Sequence, residues 1–108
     1  MAELIGLANN TKWSELQETM SKLGSRAPYW RTRATNGFLY PSNGWDGDWM
    51  YHFRLGEYKH IEICEISPRL TERALNIKEC INICQSIGFE IEIESNANLI
   101  KIFGYQRI

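Results

Sequence analysis

The chain has 108 residues, with twelve Lys or Arg against thirteen Asp or Glu and a formal net charge of -1. That length fits one domain and leaves no room for a second core. A 44% apolar content with four Trp, five Tyr and four Phe excludes disorder, and the charge balance excludes bulk attraction to nucleic acid or anionic membrane. Met1–Asn10 lacks the basic start and long apolar run of a signal peptide, and no stretch approaches the roughly 20 apolar residues of a membrane span. A soluble, cytoplasmic protein is expected.

In chain order, a first helix is expected to open after Asn10 or Thr11, either of which can cap free amides. Trp13, Leu16, Met20 and Leu23 fall on one of its faces, and Gly24 closes it. Arg26–Arg33 alternates Tyr29, Arg31 and Arg33 against Trp30 and Thr32, a strand with a charged outer face. After a turn at Asn36-Gly37, Phe38–Tyr40 reads as a short strand and Pro41–Gly44 as a loop.

The densest aromatic stretch follows, Gly44 to Phe53, read GWDGDWMYHF. Large aromatics must mostly be packed, whereas two carboxylates between indoles resist full burial, so the stretch belongs at the border of core and surface. Trp45, beside a loop, is the indole expected to be exposed, and Asp46-Gly47 can make a turn. Asp48–Arg54 reads as a strand, Leu55–Tyr58 as a turn and Lys59–Ile66 as the partner strand. Read this way, Asp48 and His52 share one face, while Trp49, Tyr51 and Phe53 share the other.

Ser67 and Pro68 then begin a second helix. Leu70, Ala74, Ile77, Ile81 and Cys84 form its stripe, Cys80 and Ile87 widen it, and Gly88 stops it. Phe89, Ile91 and Ile93 alternate with Glu90, Glu92 and Glu94, Ser95–Asn98 turns, and Leu99–Tyr105 returns as a half-buried hairpin. Three glutamates on one face repel each other unless Lys101 or a neighbouring strand supplies basic groups opposite. The expected architecture is α+β: a single domain over 1–108 with an antiparallel sheet of about five strands and two helices packed on one face, in the order α-β-β-β-α-β-β. The other sheet face would be open, a surface for docking or for a homodimer.

Cys64, Cys80 and Cys84 sit among isoleucines and read as buried thiols. Cys80 and Cys84 share a helical face, as metal ligands or a redox pair would need, but further ligands from His52 or His60 would require a hairpin to bring them there, and core packing is the better reading. No metal or cofactor is expected.

Asn10-Thr11-Lys12-Trp13, Trp30-Arg31, the Gly44–Phe53 centre, Tyr58, Ile61-Glu62 and Ile102-Phe103-Gly104-Tyr105 together resemble an uncharacterised family of small bacterial proteins. That family has an NNTKW start, a WDGDWxYHF centre, an IEW strand and a WGY ending. The resemblance spans nearly the whole chain. Cys64, near a family tryptophan, and Phe103, in place of another, depart from it by exchanging bulky apolar groups. In size and architecture the chain is also similar in kind to immunity proteins that neutralise bacterial toxins.

That second resemblance implies a non-catalytic binder that blocks a cognate toxin domain, with a nuclease as one such target, using acidic groups for steering and aromatics as anchors. Trp45, Asp46, Asp48 and Trp49 form the first candidate patch for partner binding, and the ridge of Glu90, Glu92 and Glu94 the second. The alternative is a small enzyme or metal- or ligand-binding domain in which Asp46, Asp48, His52 and Glu62 converge.

Overall fold

The computed structural model describes residues 3–108, the Ser95 side chain excepted; Met1 and Ala2 lie outside them. Strand β1 (Leu4–Gly6) leads into helix α1 (Asn10–Leu23), followed by β2 (Tyr29–Ala34), β3 (Leu39–Tyr40) and a single helical turn, α2 (His52–Leu55). Then come β4 (Ile61–Ser67), α3 (Ile77–Ile87), β5 (Ile91–Glu94), β6 (Leu99–Phe103) and β7 (Tyr105–Arg107). The main sheet has five antiparallel strands in the order β3-β2-β4-β6-β5, and β1 pairs with β7 in a separate two-stranded ribbon. This is the expected α+β class.

Helix α1 is capped by Asn9 rather than by Asn10 or Thr11, because the Asn9 side chain accepts the Lys12 amide at 3.0 Å. Its stripe of Trp13, Leu16 and Met20 is buried and meets Cys80 and Cys84 of α3 over the inner sheet face formed by Trp30, Cys64, Ile66, Ile100 and Ile102. Burying such side chains contributes about 1.5–3 kcal/mol each. All three thiols are therefore core groups, and burial pushes those of Cys80 and Cys84 up to about 12. No cluster of three or more potential metal ligands occurs among the described residues, and no helix among them is long and apolar enough to cross a membrane.

Several expectations need correcting. Asp48–Arg54 is a turn followed by α2, not a strand, so β4 has no hairpin partner there; it lies between β2 and β6. The last long helix starts at Ile77 behind an Asn76 cap, not at Ser67-Pro68, because Asn76 and Glu79 form a reciprocal capping box. Leu70, assigned to the helical stripe, is 95% exposed in the preceding loop. The β1–β7 ribbon was not anticipated, since strands of three residues show too few alternations to register as a period. The chain bends into β7 at Gly104, where a Cβ would collide with the Ile61 carbonyl.

A bulge in β4 sets the outer face. Arg33 pairs with Ile63 but Ala34 pairs with Ile61, leaving Glu62 as an extra residue. The inward phase thus passes from Ile61 to Cys64, and Glu62 turns to the outer side, where it bonds Arg33 and Arg107. Across that face run Arg31, Glu65, Lys101 and Glu92 in register. Arg31 bonds Glu65 at 3.0 Å and Lys101 bonds Glu94 at 2.9 Å. Lys101 is the base that the glutamate ridge meets, opposite Glu92 and paired with Glu94.

Candidate functional site

The Gly44–Phe53 centre is built outward from β2. Gly44 turns with φ +76°, and Asp46 then exchanges both backbone hydrogen bonds with Trp30, at 2.8 and 3.0 Å. With its backbone anchored, Asp46 uses its side chain three ways. Oδ1 accepts the Asp48 amide at 2.7 Å, closing an Asx turn over Gly47, while Oδ2 accepts the Tyr40 hydroxyl at 2.8 Å and His52 Nδ1 at 2.7 Å. Asp48 Oδ1 in turn accepts the amides of Met50 and Tyr51 at 2.9 and 3.0 Å, starting the helical turn that carries His52.

These local bonds compete with strand geometry and win, which is why the alternation of Asp48–Arg54 misleads. The segment is also pinned from outside. Gln17 donates to the Trp49 carbonyl at 2.9 Å, Trp49 Nε1 donates to the Pro28 carbonyl at 2.9 Å, and Arg69 donates to the carbonyls of Ala27 and Gly47 at 2.7 and 3.0 Å.

Burial pushes the Asp46 carboxyl up, but the bonds from the Asp48 amide, Tyr40 and His52 together outweigh it and hold the group below the usual carboxylate range. Burial, then the hydrogen bond to Asp46 and the charges of Asp46 and Asp48, raises Tyr40 above an ordinary phenol. With Nδ1–H directed at Asp46, a neutral His52 keeps its lone pair on Nε2, which lies 3.8 Å from Asp48 Oδ2. Asp46→Asn should cost about 1–2 kcal/mol by weakening three bonds, one of them to an imidazole. A folded carboxyl that ionises more readily than in the unfolded chain stabilises above its ordinary value of 3.8, and that stabilisation is lost as pH falls through the folded value. Urea unfolding at pH 7 and pH 3 should therefore show a smaller gap between wild type and variant at pH 3.

Tyr40 and His52 border a cleft of about 400 Å³. Trp30, Phe53, Phe38 and Leu55 supply much of its apolar wall, and Glu57 and His60, 3.5 Å apart, belong to the same lining. Both histidines of the chain thus line one cleft.

The structure brings Asp46, Asp48 and His52 together but not Glu62, which faces away on the outer sheet surface with Arg33 and Arg107. The bulge accounts for the difference. Trp45 is half-buried with the Arg31 guanidinium 4.1 Å from its ring centroid. Trp49 is 2% exposed and stacks into the core, so its indole offers a partner almost no surface. Glu90 and Glu92 are exposed and Glu94 is half-buried, on the opposite side of the sheet from Asp46. Of the first patch, Trp45 alone reaches the outer face, over Arg31, while Asp46, Asp48 and Trp49 lie away from the glutamates.

Sequence reasoning missed Tyr40, Gln17 and Arg69. Gln17 and Arg69 reach the centre from distant parts of the chain, so nothing in their local pattern marks them, whereas Tyr40 is as close to Asp46 in the chain as His52 is. Phe38 and Leu55 were also missed, although each is an apolar residue beside a turn, which is a visible sign of exposure.

Fold and site define a small α+β protein with an apolar cleft bordered by a carboxylate-bound histidine. The chain belongs to the family described as "Family of unknown function (DUF6678)", which it matches over residues 1–108. No curated protein and no solved structure matches it.

Proposed function

We propose that this chain is a non-catalytic binding protein, and in its most specific form a cytoplasmic immunity protein that binds and blocks a cognate bacterial toxin. One observation carries the reading. Of ten large apolar residues exposed among the described residues, Phe38 and Leu55 line the cleft, and Met50 and Tyr51 lie on the turn that leads into α2. Exposed apolar groups gathered this way mark interaction surfaces. The carboxylates of Asp46 and Asp48 next to them, and Glu90 and Glu92 on the far edge, suit a toxin with a basic active site and would speed its encounter. Trp45, over Arg31, lies on the outer face beyond this patch, whereas Trp49 supports the patch from beneath.

Co-expression with the product of the gene immediately upstream tests this reading. Growth rescue and co-purification of a stable complex are expected; absence of both toxicity and complex would sink it for that locus.

A second reading, a small enzyme or metal-binding domain, is favoured by the 2.7 Å contact between Asp46 and His52 Nδ1. A carboxylate so placed orients a general base or a metal-binding histidine. His52→Gln separates the two: a binder keeps its partner affinity within a few-fold, whereas turnover or metal binding through Nε2 disappears.

A further inference from the structure

The main sheet ends on an open strand. Among the described residues β5 pairs with β6 alone. Bonded and non-bonded positions alternate along an antiparallel pair. The Phe103 N–H donated to the Glu90 carbonyl at 3.2 Å fixes the phase, so the peptide groups of Glu92 face β6 while those of Ile91 and Ile93 face outward. Such groups are a template for one more strand.

The side chains define what could be added. Glu92 lies opposite Lys101 in register, and Lys101 makes its ion pair with Glu94. Glu92 and Glu94 thus share one lysine along the outer side, Glu90 and Glu92 border a groove with Arg33 and Arg107, whose ion pairs go to Glu62, and Ile93 is 50% exposed on the other face. A second copy of this chain fits poorly. Antiparallel self-pairing through the outward peptides sets Ile91 against Ile91, Ile91 against Ile93, or Ile93 against Ile93. Every one of these registers puts glutamate opposite glutamate, which is destabilising.

We propose that β5 is a docking edge for an extended segment of a partner protein in which Lys or Arg alternates with apolar residues. The segment joins the sheet as a further strand, with its bases against Glu90, Glu92 and Glu94 and its apolar side chains beside Ile93. Main-chain bonds supply affinity and the alternation supplies selectivity. The inference rests on the binding-protein reading and adds the chemistry of the partner.

The test uses the full chain, labelled with nitrogen-15, and three capped peptides: alternating Lys and Val, the same with alternate backbone amides methylated, and alternating Glu and Val. The Lys/Val peptide should slow amide exchange at Ile91 and Ile93 at least tenfold at saturation, and the other two should not. Glu90→Gln with Glu92→Gln, which removes the charges without setting lysine opposite Lys101, should weaken its binding about fivefold or more and keep the melting midpoint within a few degrees of wild type. Equal binding of the methylated peptide, or binding without protection at Ile91 and Ile93, would overturn the docking edge and leave only diffuse charge attraction. A toxin complex that forms while those two amides exchange as in the free chain overturns this inference and leaves the binding-protein reading standing. Peptide protection with no upstream partner does the reverse.

Discussion

Trp49→Ala should destabilise the protein by about 3–5 kcal/mol, the usual cost of truncating a buried large aromatic. The ring centroids of Trp30 and Phe53 lie 5.9 and 4.7 Å from its own, and its Nε1–H satisfies the Pro28 carbonyl. Truncation leaves a cavity beneath the cleft and strips a buried carbonyl of its donor, so both packing and hydrogen bonding are lost. Against a total stability of about 5–15 kcal/mol for a domain of this kind, many molecules would unfold near body temperature. Trp45→Ala is the control. Its indole lies under one half-exposed arginine, a contact contributing about 0.5–1 kcal/mol. Denaturant unfolding of the two variants should separate them clearly, and equal losses would contradict the division of labour between the two indoles.

Glu62→Ala is the second large effect, expected at about 2 kcal/mol. The carboxylate is 3% exposed and accepts from Arg33 at 3.1 Å and twice from Arg107, at 2.9 and 2.6 Å. Arg107 also donates to the Thr35 carbonyl at 2.8 Å, so this carboxylate ties β7, and through it β1, to the main sheet. Removing one member of a buried pair often costs more than 3 kcal/mol, but both arginine side chains are nearly half exposed and regain water, which lowers the figure. Amides of residues 4–6 and 105–107 should exchange faster in the variant than those of β4 and β6. The hydrogen bond from Arg107, opposed by burial and reinforced by Arg33, holds the Glu62 carboxyl below its ordinary value of 4.5. Its stabilisation is therefore complete above that value and is lost as pH falls through the lower folded value. The variant should show a shallower loss of stability between about pH 5 and pH 3.

The parts of the fold legible in sequence were those with several repeats of one period. Trp13, Leu16 and Met20 mark α1, Ile77, Ile81 and Cys84 mark the inner side of α3, and the Ile/Glu alternation marks β5. Where side chains bond the backbone, the pattern was overruled: the carboxylates of Asp46 and Asp48 curl the residues after them into turns, although their alternation reads as a strand. Asn76 and Glu79 carried a visible capping signal for the start of α3, which Ser67-Pro68 obscured. Of the candidate site, the approach of His52 to Asp46 and Asp48 could be anticipated from their closeness in the chain. The outward turn of Glu62 could not, since a single bulge residue reverses a face and leaves no periodic trace. Gln17 and Arg69 reach the centre through tertiary packing alone, whereas Tyr40 is as near to Asp46 in the chain as His52 is.

The same physical division organises the functional reading: the aromatic centre holds the fold, and the apolar side chains it pushes outward are left for a partner. Truncating exposed groups usually changes stability by less than about 0.5 kcal/mol, whereas truncating interface anchors costs 2 kcal/mol or more in binding. The most direct test is titration calorimetry of the upstream gene product with wild type and with the Phe38→Ser, Leu55→Ser double variant, with the melting midpoint of each preparation recorded. The proposed interface predicts a tight wild-type complex, an affinity at least 100-fold weaker for the double variant, and an unchanged midpoint. Equal affinity in the two proteins, or no complex with wild type, would contradict it.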